Sequence, residues 1–435
     1  MNMPLPNQAA SRRRTPPQAQ GHCHGGVTAL WQIGLTLPAA KSPNMKILML
    51  SDVYFPRVNG VSTSIESFRN ALERQGHEVH LICPDYPAHT AQEPRTWRID
   101  SRGVIGDPED RMMRYQRIMA MASSLACLKF DLIHVHTPFV AHYAGIALGK
   151  RLNVPVVGTY HTLFEEYLHH YVPGLPRRSL RFAARRFSVH QCHQLAAVIA
   201  PSSAMANTLK TYGVQSPIAT IATGLSLDRF VTSTAGGHFR ERHGLPTQGH
   251  LLLFVGRAAY EKNIGFLIDM LPKVRQRHPD TCLVIVGEGP ALASLKRQAT
   301  QAGLAEAVFF VGYLSRDGAL QDAYRAADAF VFASPTETQG LVLLEAMALG
   351  TPVVSTAAMG TLDVLQQGEG CLIAEAHPAR FAEHVNCLLT NDILRRYLGQ
   401  RGQAYAQRWS EESKAEILAA LYEQLCPSVL ATTAA

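Results

Sequence analysis

The chain has 435 residues, of which 47% are hydrophobic and 17% are charged, and its formal net charge is +7. This length favours two or three domains, and the composition excludes a wholly disordered chain. The longest apolar runs, such as Leu251–Val255, are far shorter than the roughly 18–20 residues of a membrane-spanning helix, so no transmembrane segment is expected.

The positive charge is unevenly distributed along the chain. Residues 45–240 carry seven more basic than acidic residues, whereas residues 241–435 carry four more acidic than basic residues. This asymmetry indicates one anionic partner surface on the first half and disfavours a uniformly basic nucleic-acid-binding protein.

Residues 1–44 are rich in Pro, Gln, Ala and Gly and show no helical or strand periodicity. We expect a disordered tail or a start codon placed too early, and we expect the folded part to begin at Met45. A cleaved signal peptide fits poorly, because the apolar stretch Trp31–Leu37 is weak and late.

From Met45 onward, short apolar runs alternate with helical patterns. Such runs are typical of buried parallel strands, and they are predicted at Ile47–Leu50, Glu78–Cys83, Leu132–Val135, Val154–Val157 and Ala197–Ala200. A helical pattern from Ser62 to about Arg74 follows the first of them. This βαβ organisation predicts a doubly wound α/β domain over residues 45–222.

The same pattern restarts after a glycine-rich stretch at 223–248, which predicts a linker with a short helix. New strands are predicted at Leu251–Val255, Cys282–Val286, Val308–Val311, Ala329–Phe332 and Pro352–Ser355. Residues 249–402 therefore predict a second α/β domain of similar size. The last helical pattern, within 403–425, could pack on either domain, including back on the first.

Ligands of parallel sheets bind beyond the carboxyl ends of the strands, so the loops there hold the candidate site residues. The loop Asn59-Gly60-Val61-Ser62-Thr63 follows the first strand. A glycine before a helix N-terminus lets backbone N–H groups approach a phosphate. The alternative is an ordinary turn between strand and helix in which Ser62 is the N-cap. For this loop taken alone, that alternative is favoured.

A second loop, Gly256-Arg257 with Glu261-Lys262, follows the strand Leu251–Val255. The guanidinium fork of Arg257 and the ammonium group of Lys262 can both reach one diphosphate. A solvated charge cluster is the alternative, but the position after a buried strand favours a function.

A third segment carries two carboxylates, Glu337 on a loop and Glu345 in the second turn of a helix opened by Gly340. The two could form a glycosidase acid/base pair, or they could accept hydrogen bonds from sugar hydroxyls. A surface role for Glu345 is disfavoured because its neighbours Leu344 and Ala346 are apolar.

A fourth segment, Thr159-Tyr160-His161-Thr162, follows the strand Val154–Val157. A histidine at a strand end can hydrogen-bond a sugar or phosphate oxygen. A satisfied structural histidine is equally expected at this position alone.

Together these residues resemble glycosyltransferase family 4, whose GT-B fold has two Rossmann-like domains facing each other across a cleft. The resemblance covers about Met45 to Leu425. It rests on the E-x₇-E element Glu337 to Glu345, Gly350–Val354, Gly256-Arg257 with Lys262, Val286–Pro290, and Asp52–Val61. The segments Tyr160–Tyr167 and Thr336–Gly340 are similar to those of bacterial glycolipid synthases that glucosylate diacylglycerol.

The resemblance implies roles for individual residues. Arg257 and Lys262 would hold the donor diphosphate, Glu337 the donor sugar and Glu345 the nucleotide ribose. His161 would lie beside the sugar, so that His161, Glu337, Arg257 and Lys262 form the catalytic set. The other implied donor-binding positions are Gly60, Gly287, Gly289, Gly312, Thr338, Gln339, Gly340 and Leu341.

The resemblance also implies a retaining hexosyltransferase whose substrate is a nucleotide sugar, UDP-glucose in the first place, without a cofactor or catalytic metal. The sequence agrees on the metal, because it contains no D-x-D motif. The implied acceptor is a membrane lipid such as diacylglycerol. The alternative is a mannosyltransferase, or a transferase acting on a soluble or cell-envelope glycan. Scattered cysteines without a C-x-x-C pair favour a reducing cytoplasm.

Residues 177–187 hold five arginines in eleven positions. At helical spacing Arg178, Arg181 and Arg185 form one stripe with Phe182 and Arg186 close to it. Leu180, Ala183, Ala184 and Phe187 are expected on the opposite, packed face. We expect this helix to dock on an anionic membrane at the inner face of the cytoplasmic membrane, with a solvated helix face as the alternative.

Overall fold

The computed structural model describes residues 44–87, 93–104, 107–161, 177–228, 238–316 and 318–426. The predicted tail therefore lies outside the described residues, apart from Asn44, as does most of the segment Tyr160–Tyr167. Within the described residues, two parallel β-sheets flanked by helices form two α/β domains.

The first sheet has seven parallel strands in the order β3-β2-β1-β6-β7-β8-β9, and a two-stranded antiparallel hairpin, β4-β5, follows β3. The strands are β1 Lys46–Leu50, β2 Glu78–Pro84, β3 Thr96–Ile99, β4 Ser101–Val104, β5 Asp107–Met113, β6 Leu132–Val135, β7 Val156–Thr159, β8 Ala197–Ala200 and β9 Ile218–Thr220.

The second sheet has six parallel strands in the order β12-β11-β10-β13-β14-β15. They are β10 Leu251–Val255, β11 Cys282–Val286, β12 Val308–Gly312, β13 Ala329–Phe332, β14 Val353–Ser355 and β15 Cys371–Ile373. The strands β10, β11 and β13 are buried along their whole length, because helices cover both faces of a parallel sheet.

Helices connect the strands of both sheets. In the first domain these are α1 Gly60–Arg74, α2 Tyr115–Ala120, α3 Ala122–Leu128, α4 Val140–Leu152, α5 Arg177–Cys192 and α6 Ser203–Tyr212. The rest are α7 Phe239–Arg242, α8 Ile264–Arg275, α9 Leu292–Gln301, α10 Ala319–Ala326, α11 Leu341–Ala348, α12 Thr361–Val364, α13 Pro378–Thr390, α14 Asp392–Ala406 and α15 Glu411–Leu425.

The last helix, α15, packs on the first domain. Its residues Ala415, Leu418 and Tyr422 belong to the same buried cluster as Ile47 of β1 and Leu72 of α1. Their spacing of three and four residues places them on one face of the helix. The chain therefore crosses between the domains twice, once after β9 and once before α15.

The two crossings are hydrogen-bonded to each other. The Leu225 N–H donates to Trp409 O at 2.7 Å, and the Glu411 N–H donates to Leu225 O at 3.1 Å. Leu225, Phe239 and Leu245 are buried in the second domain's core. The segment expected to be a linker at 223–248 thus contributes core residues, because these three apolar side chains are spaced among the glycines that suggested a loop.

Candidate active site

The strand order reverses at two places, between β1 and β6 in the first sheet and between β10 and β13 in the second. Loops leaving such adjacent strands turn to opposite sides and open a crevice at the carboxyl edge of the sheet. The loop with Gly60 follows β1, the loop with Arg257 follows β10, and the loop with Glu337 follows β13. The fold therefore brings three of the four candidate loops to these two crevices.

Helix α1 begins at Gly60, and Asn59 rather than Ser62 is its N-cap. The Asn59 side chain accepts the N–H groups of Val61 and Ser62 at 3.0 and 2.9 Å, while Ser62 Oγ accepts the Asn59 N–H at 2.9 Å. This capping box leaves the face of Gly60 uncovered, since a Cβ built there has no neighbour within 4 Å. Gly60 thus offers an open approach to the positive end of the helix.

Two glycine loops of the second domain pack tightly against each other. Gly256, Gly287 and Gly289 have φ values of +155°, +128° and +155°. A Cβ on Gly287 would lie 2.1 Å from Gly256 O, and one on Gly289 would lie 2.6 Å from Ala258 O. Glycine is required here because the backbone that carries Arg257 and the loop after β11 leave no room for side chains.

Lys262 and Glu337 form an ion pair, with Nζ and Oε2 2.6 Å apart and both side chains less than one-fifth exposed. Asn263 Nδ2 donates to Ala333 O at 3.2 Å, which fixes the two loops to each other. Burial by itself would raise the pKa of Glu337, but the nearby Lys262 ammonium group, with its hydrogen bond, holds that pKa below its ordinary value. Glu337 is therefore a carboxylate at neutral pH.

Glu345 lies in the second turn of α11 and is fully buried. Its Oε1 accepts Arg316 Nη1 at 2.7 Å, and its Oε2 accepts the Tyr324 hydroxyl at 2.9 Å. Burial and the adjacent Glu345 raise the pKa of Tyr324 well above its ordinary value, so this hydroxyl stays a donor. Sequence reasoning missed Arg316 and Tyr324, because neither belongs to a recognisable motif.

The side chain of Gln339, a residue expected to bind the donor, contacts the interdomain crossing. Its Oε1 accepts the Thr223 N–H at 2.8 Å, and its Nε2 donates to Thr223 O at 2.7 Å. Gly340, at the end of the same loop, has φ +92°. The Thr338 carbonyl packs against Gly360, because a Cβ built on Gly360 would lie only 1.9 Å from Thr338 O. The partner of the Gln339 amide is a backbone peptide unit, which no side-chain pattern reveals, and donor binding by Gln339 stays a prediction.

His161 is the half-buried member of a cluster of three histidines, whose other two members, His134 and His136, are buried. Its Nε2 lies 3.3 Å from His136 Nδ1, and the His136 ring lies against that of His134 with centroids 3.9 Å apart and the ring planes tilted by 35°. His134 is hydrogen-bonded to the Tyr422 hydroxyl and to Thr159 Oγ1, both at 2.7 Å. The other two histidines of this cluster, His134 and His136, could have been found from the sequence, because they form an H-x-H pattern at the end of β6.

Burial lowers the pKa of all three histidines. The pKa of His161 falls to about 4 and that of His134 to about 3, while burial and the neighbouring rings hold that of His136 well below its ordinary value. The rings are therefore neutral at pH 7. A neutral His161 offers a hydrogen bond to a sugar and no positive charge.

Asp52 fixes the loop that carries His136. Its carboxylate accepts the Thr137 hydroxyl at 2.7 Å and the Ala141 N–H at 3.1 Å. Burial raises the pKa of Asp52 to about 6, although these hydrogen bonds oppose the increase. The Asp52 carboxylate thus serves the N-terminus of α4 and holds the loop between β6 and α4.

The two domains contact each other across the cleft. Arg57 Nη1 lies 3.4 Å from the Tyr313 hydroxyl, and the Asp363 carboxylate accepts both the backbone N–H and the hydroxyl of Ser203. Tyr313 follows Gly312, an expected donor-binding residue with φ +79°. A cavity between the domains is lined on one side by Thr63, Glu66 and Ser67 and on the other by Arg316, Leu341 and Glu345.

The basic helix α5 exposes Arg178, Arg181 and Arg186, and its Phe182 is 70% exposed. Arg185 is also exposed, but its guanidinium lies 5.1 Å from the centre of the Tyr212 ring. Leu180 and Ala184 are buried as expected, whereas Ala183 and Phe187 are exposed. The packed face is narrower than expected, because Ser188 and Gln191 continue it in place of Phe187.

Two further properties concern the described residues only. None of the helices that the structure describes is long and apolar enough to cross a bilayer. Among the same residues, no cluster of three or more His, Cys, Asp or Glu side chains has the arrangement of a metal site.

Comparison with known proteins gives matches in both domains. Residues 58–229 match the family described as Glycosyltransferase Family 4, and residues 237–405 match Glycosyl transferases group 1. An alpha-monoglucosyldiacylglycerol synthase from Streptococcus pneumoniae is 33% identical over 319 residues, which are 72% of this chain and 71% of that protein. A GDP-mannose-dependent alpha-mannosyltransferase from Mycobacterium tuberculosis is 30% identical over 335 residues, 74% and 81% of the two chains.

Solved structures show the same architecture. The sucrose-phosphate synthase from Thermosynechococcus elongatus superposes with a TM-score of 0.70 at 21% identity, covering 88% of this chain and all of that chain. This likeness confirms the expected fold of two Rossmann-like domains facing each other across a cleft.

Proposed function

Because the chain belongs to glycosyltransferase family 4, we propose that it transfers a hexose, glucose in the first place, from a nucleotide sugar to a membrane lipid such as diacylglycerol. The family membership makes the protein a glycosyltransferase. The donor, the lipid acceptor, retention of the anomeric configuration and independence of metal are parts of the proposal.

The observation that carries the proposal is the Lys262–Glu337 ion pair at the carboxyl edge of the second sheet. A cation and an anion held together in a cleft match a ligand that joins a diphosphate to a polyhydroxyl ring. Gly60, at the N-terminus of α1 across the cleft, offers its own N–H group and the positive end of the helix dipole without a side chain in the way. A glycosidase would not need groups that bind a diphosphate, because its substrate carries none.

In the proposed reaction the acceptor's hydroxyl oxygen forms a bond to the anomeric carbon while the bond from that carbon to the diphosphate oxygen breaks. Negative charge develops on the leaving diphosphate, which takes up the proton of the acceptor hydroxyl. Arg257, Lys262 and the N–H group of Gly60 would stabilise that charge without reorganisation, which is commonly the largest single contribution to catalysis. The Glu337 carboxylate would accept hydrogen bonds from the sugar hydroxyls and orient the ring.

His161 would act on the sugar as a neutral hydrogen-bonding group, in keeping with its lowered pKa. The contact with His136 Nδ1 at 3.3 Å occupies Nε2 of His161 and leaves Nδ1 for the substrate. An imidazolium at this position would repel the positive charge that develops on the sugar ring as the leaving group departs. Burial of the cluster thus suits the proposed chemistry.

The lipid acceptor is supported by two independent features. The relative named alpha-monoglucosyldiacylglycerol synthase is more similar than the GDP-mannose-dependent mannosyltransferase, at 33% against 30% identity. Helix α5 adds exposed arginines and the exposed Phe182, a combination suited to an anionic bilayer surface. We therefore propose a peripheral position on the inner face of the cytoplasmic membrane. Mannose transfer is the second candidate, supported by the mannosyltransferase relative.

The experiment is a donor and acceptor screen. Purified protein is incubated with radiolabelled UDP-glucose, UDP-galactose or GDP-mannose and with vesicles that contain diacylglycerol, and labelled lipid is measured with and without EDTA. Labelled lipid from UDP-glucose that EDTA does not abolish supports the proposal. Transfer from GDP-mannose and from neither UDP-sugar would show that the transferred sugar is mannose and not glucose. A requirement for added Mg²⁺ or Mn²⁺ would contradict the metal-independent mechanism.

A further inference from the structure

Arg316 is a charged residue of the cleft that no motif contains. It follows β12 and lines the interdomain cavity, with a side chain that is 28% exposed. Its guanidinium donates to Glu345 Oε1 at 2.7 Å, and the nearby Glu345 charge raises the pKa of Arg316 above its ordinary value. Arg316 and Glu345 therefore form an ion pair in the wall of the interdomain cavity.

The geometry of Glu345 leaves it with acceptor capacity to spare. A carboxylate has two oxygens, each with room for about two hydrogen bonds. Arg316 uses one position on Oε1, and Tyr324 uses one position on Oε2. One position on each oxygen remains, which matches two adjacent hydroxyl groups such as the 2′- and 3′-hydroxyls of a ribose.

The backbone of Arg316 is itself held in place. Gln321 Nε2 donates to Arg316 O at 2.9 Å, and Gln321 Oε1 accepts the Gly318 N–H at 3.1 Å. The Leu320 N–H donates to Ser315 O at 3.0 Å. The start of α10 therefore fixes the chain on both sides of Arg316, and the guanidinium approaches Glu345 from a rigid base.

We propose that Arg316 is the positioning residue for ribose recognition: it fixes the carboxylate plane of Glu345 so that both remaining acceptor positions serve the nucleotide's ribose. The inference rests on the proposed function, because it takes a nucleotide as the ligand. A purely structural Arg316 would neutralise the buried carboxylate and contribute to stability alone. A positioning Arg316 makes the discrimination between ribose and deoxyribose depend on its side chain.

The test measures binding of UDP and GDP, and of their 2′-deoxy and 3′-deoxy forms, by calorimetry. The wild-type protein is expected to bind the preferred ribonucleotide roughly 10- to 100-fold more tightly than its deoxy forms, since hydrogen bonds to a charged group are lost. In Arg316→Gln this ratio is expected to fall below about threefold, as it should in Glu345→Gln, and the double variant should lose nothing more. Arg316→Lys should give an intermediate ratio, because an ammonium lacks the planar fork. Arg396→Gln, on the exposed face of α14, is the matched control.

The outcomes separate the inference from the function on which it rests. A wild-type ratio in Arg316→Gln, with weaker binding of all nucleotides alike, overturns the positioning role and leaves the nucleotide site intact. Binding of neither UDP nor GDP to the folded wild-type protein overturns the proposed function and the inference together. If Arg316→Gln does not fold, Arg316→Lys decides, and a wild-type ratio in that variant overturns the proposal.

Discussion

Gln339 in the donor loop and Thr223 in the interdomain crossing are joined by two hydrogen bonds, one in each direction between a side-chain amide and a backbone peptide unit. Thr223 Oγ1 also lies 2.7 Å from Ser64 Oγ on α1. A single crossing residue thus connects the helix that begins at Gly60 with the loop that carries Glu337. This connection is one of the contacts that hold the two halves of the cleft together.

We expect Gln339→Ala to lower kcat/KM for the nucleotide sugar by about tenfold, because two hydrogen bonds worth about 1 kcal/mol each no longer fix the donor loop. Gln339→Glu should be at least as impaired, since a carboxylate would face Thr223 O. Steady-state kinetics measures the effect, with the exposed Gln301→Ala as the control. Unchanged kinetics in both Gln339 variants would show that the connection has no part in turnover.

A substitution at Gly60 is expected to impair ligand binding without impairing folding. The position has no positive φ and no neighbour around a Cβ, so Gly60→Ala should fold with unchanged or slightly raised stability. We nevertheless expect its turnover to fall at least tenfold, because the added methyl group occupies the approach of a phosphate. Thermal unfolding and kinetics are measured together, and Gly103→Ala, which also has open space around its Cβ, is the control. Full activity in Gly60→Ala excludes a phosphate contact there.

The histidine cluster predicts a pH dependence of stability. The native pKa values of His161 and His134, about 4 and about 3, lie below the ordinary 6.5. Between pH 6.5 and 4 the unfolded chain therefore binds protons that the native protein does not. The free energy of unfolding should fall as the pH falls through this window, by at most about 1.4 kcal/mol per pH unit for each histidine.

His134→Gln tests this dependence, because glutamine keeps a donor and an acceptor for Tyr422 and Thr159 but does not titrate. We expect its unfolding free energy to fall less steeply between pH 6.5 and 5 than that of the wild-type protein, by about the contribution of one proton. Urea denaturation at several pH values measures the slopes, and the exposed His238→Gln serves as control. Parallel slopes in wild type and His134→Gln would refute the role of burial.

Helix α5 predicts salt-sensitive binding to anionic membranes. Each exposed arginine near an anionic leaflet contributes about 1 kcal/mol, and the attraction fades as the Debye length shrinks from about 10 Å at 0.1 M salt to about 3 Å at 1 M. We expect an Arg178/Arg181/Arg186→Ala variant to lose most binding to vesicles with anionic lipid. Arg185 is left unchanged because it stacks on Tyr212.

Co-sedimentation with anionic and zwitterionic vesicles measures this binding. A Phe182→Ser variant should weaken binding by a salt-independent amount, because the phenyl ring contributes apolar insertion and no charge. The matched control is Arg277/Arg396→Ala, two exposed arginines of the second domain. Equal binding of the wild type and the triple variant would remove the membrane role from α5.

The central strands could be predicted from sequence because burial on both faces makes them continuous apolar runs. Leu251–Val255 and Cys282–Val286 have the predicted bounds, for example. The edge strand β3 and the hairpin β4-β5 were missed, since their residues alternate with charges or contain glycine. An edge strand buries less, and its sequence carries less of the hydrophobic signal.

The site divides in the same way. Lys262, Glu337 and Glu345 could be placed from the positions of their loops and helix relative to predicted strands. Arg316 could not, because it reaches Glu345 from 29 residues away in sequence, through tertiary packing. The Gln339 contact with Thr223 also depends on how two domains meet, which no local pattern specifies.

The most direct test of the central claim is sugar transfer from radiolabelled UDP-glucose to vesicle lipid by wild type, Lys262→Ala and Glu345→Gln under identical conditions. We predict a labelled glycolipid with the wild-type protein and a loss of roughly 10²–10³ in rate in each variant, since each removes a preorganised charged group. The exposed Lys273→Ala should transfer sugar at the wild-type rate. Undiminished transfer by a folded Lys262→Ala protein, or no transfer by the wild type from any nucleotide sugar, would contradict the proposed function and its donor site.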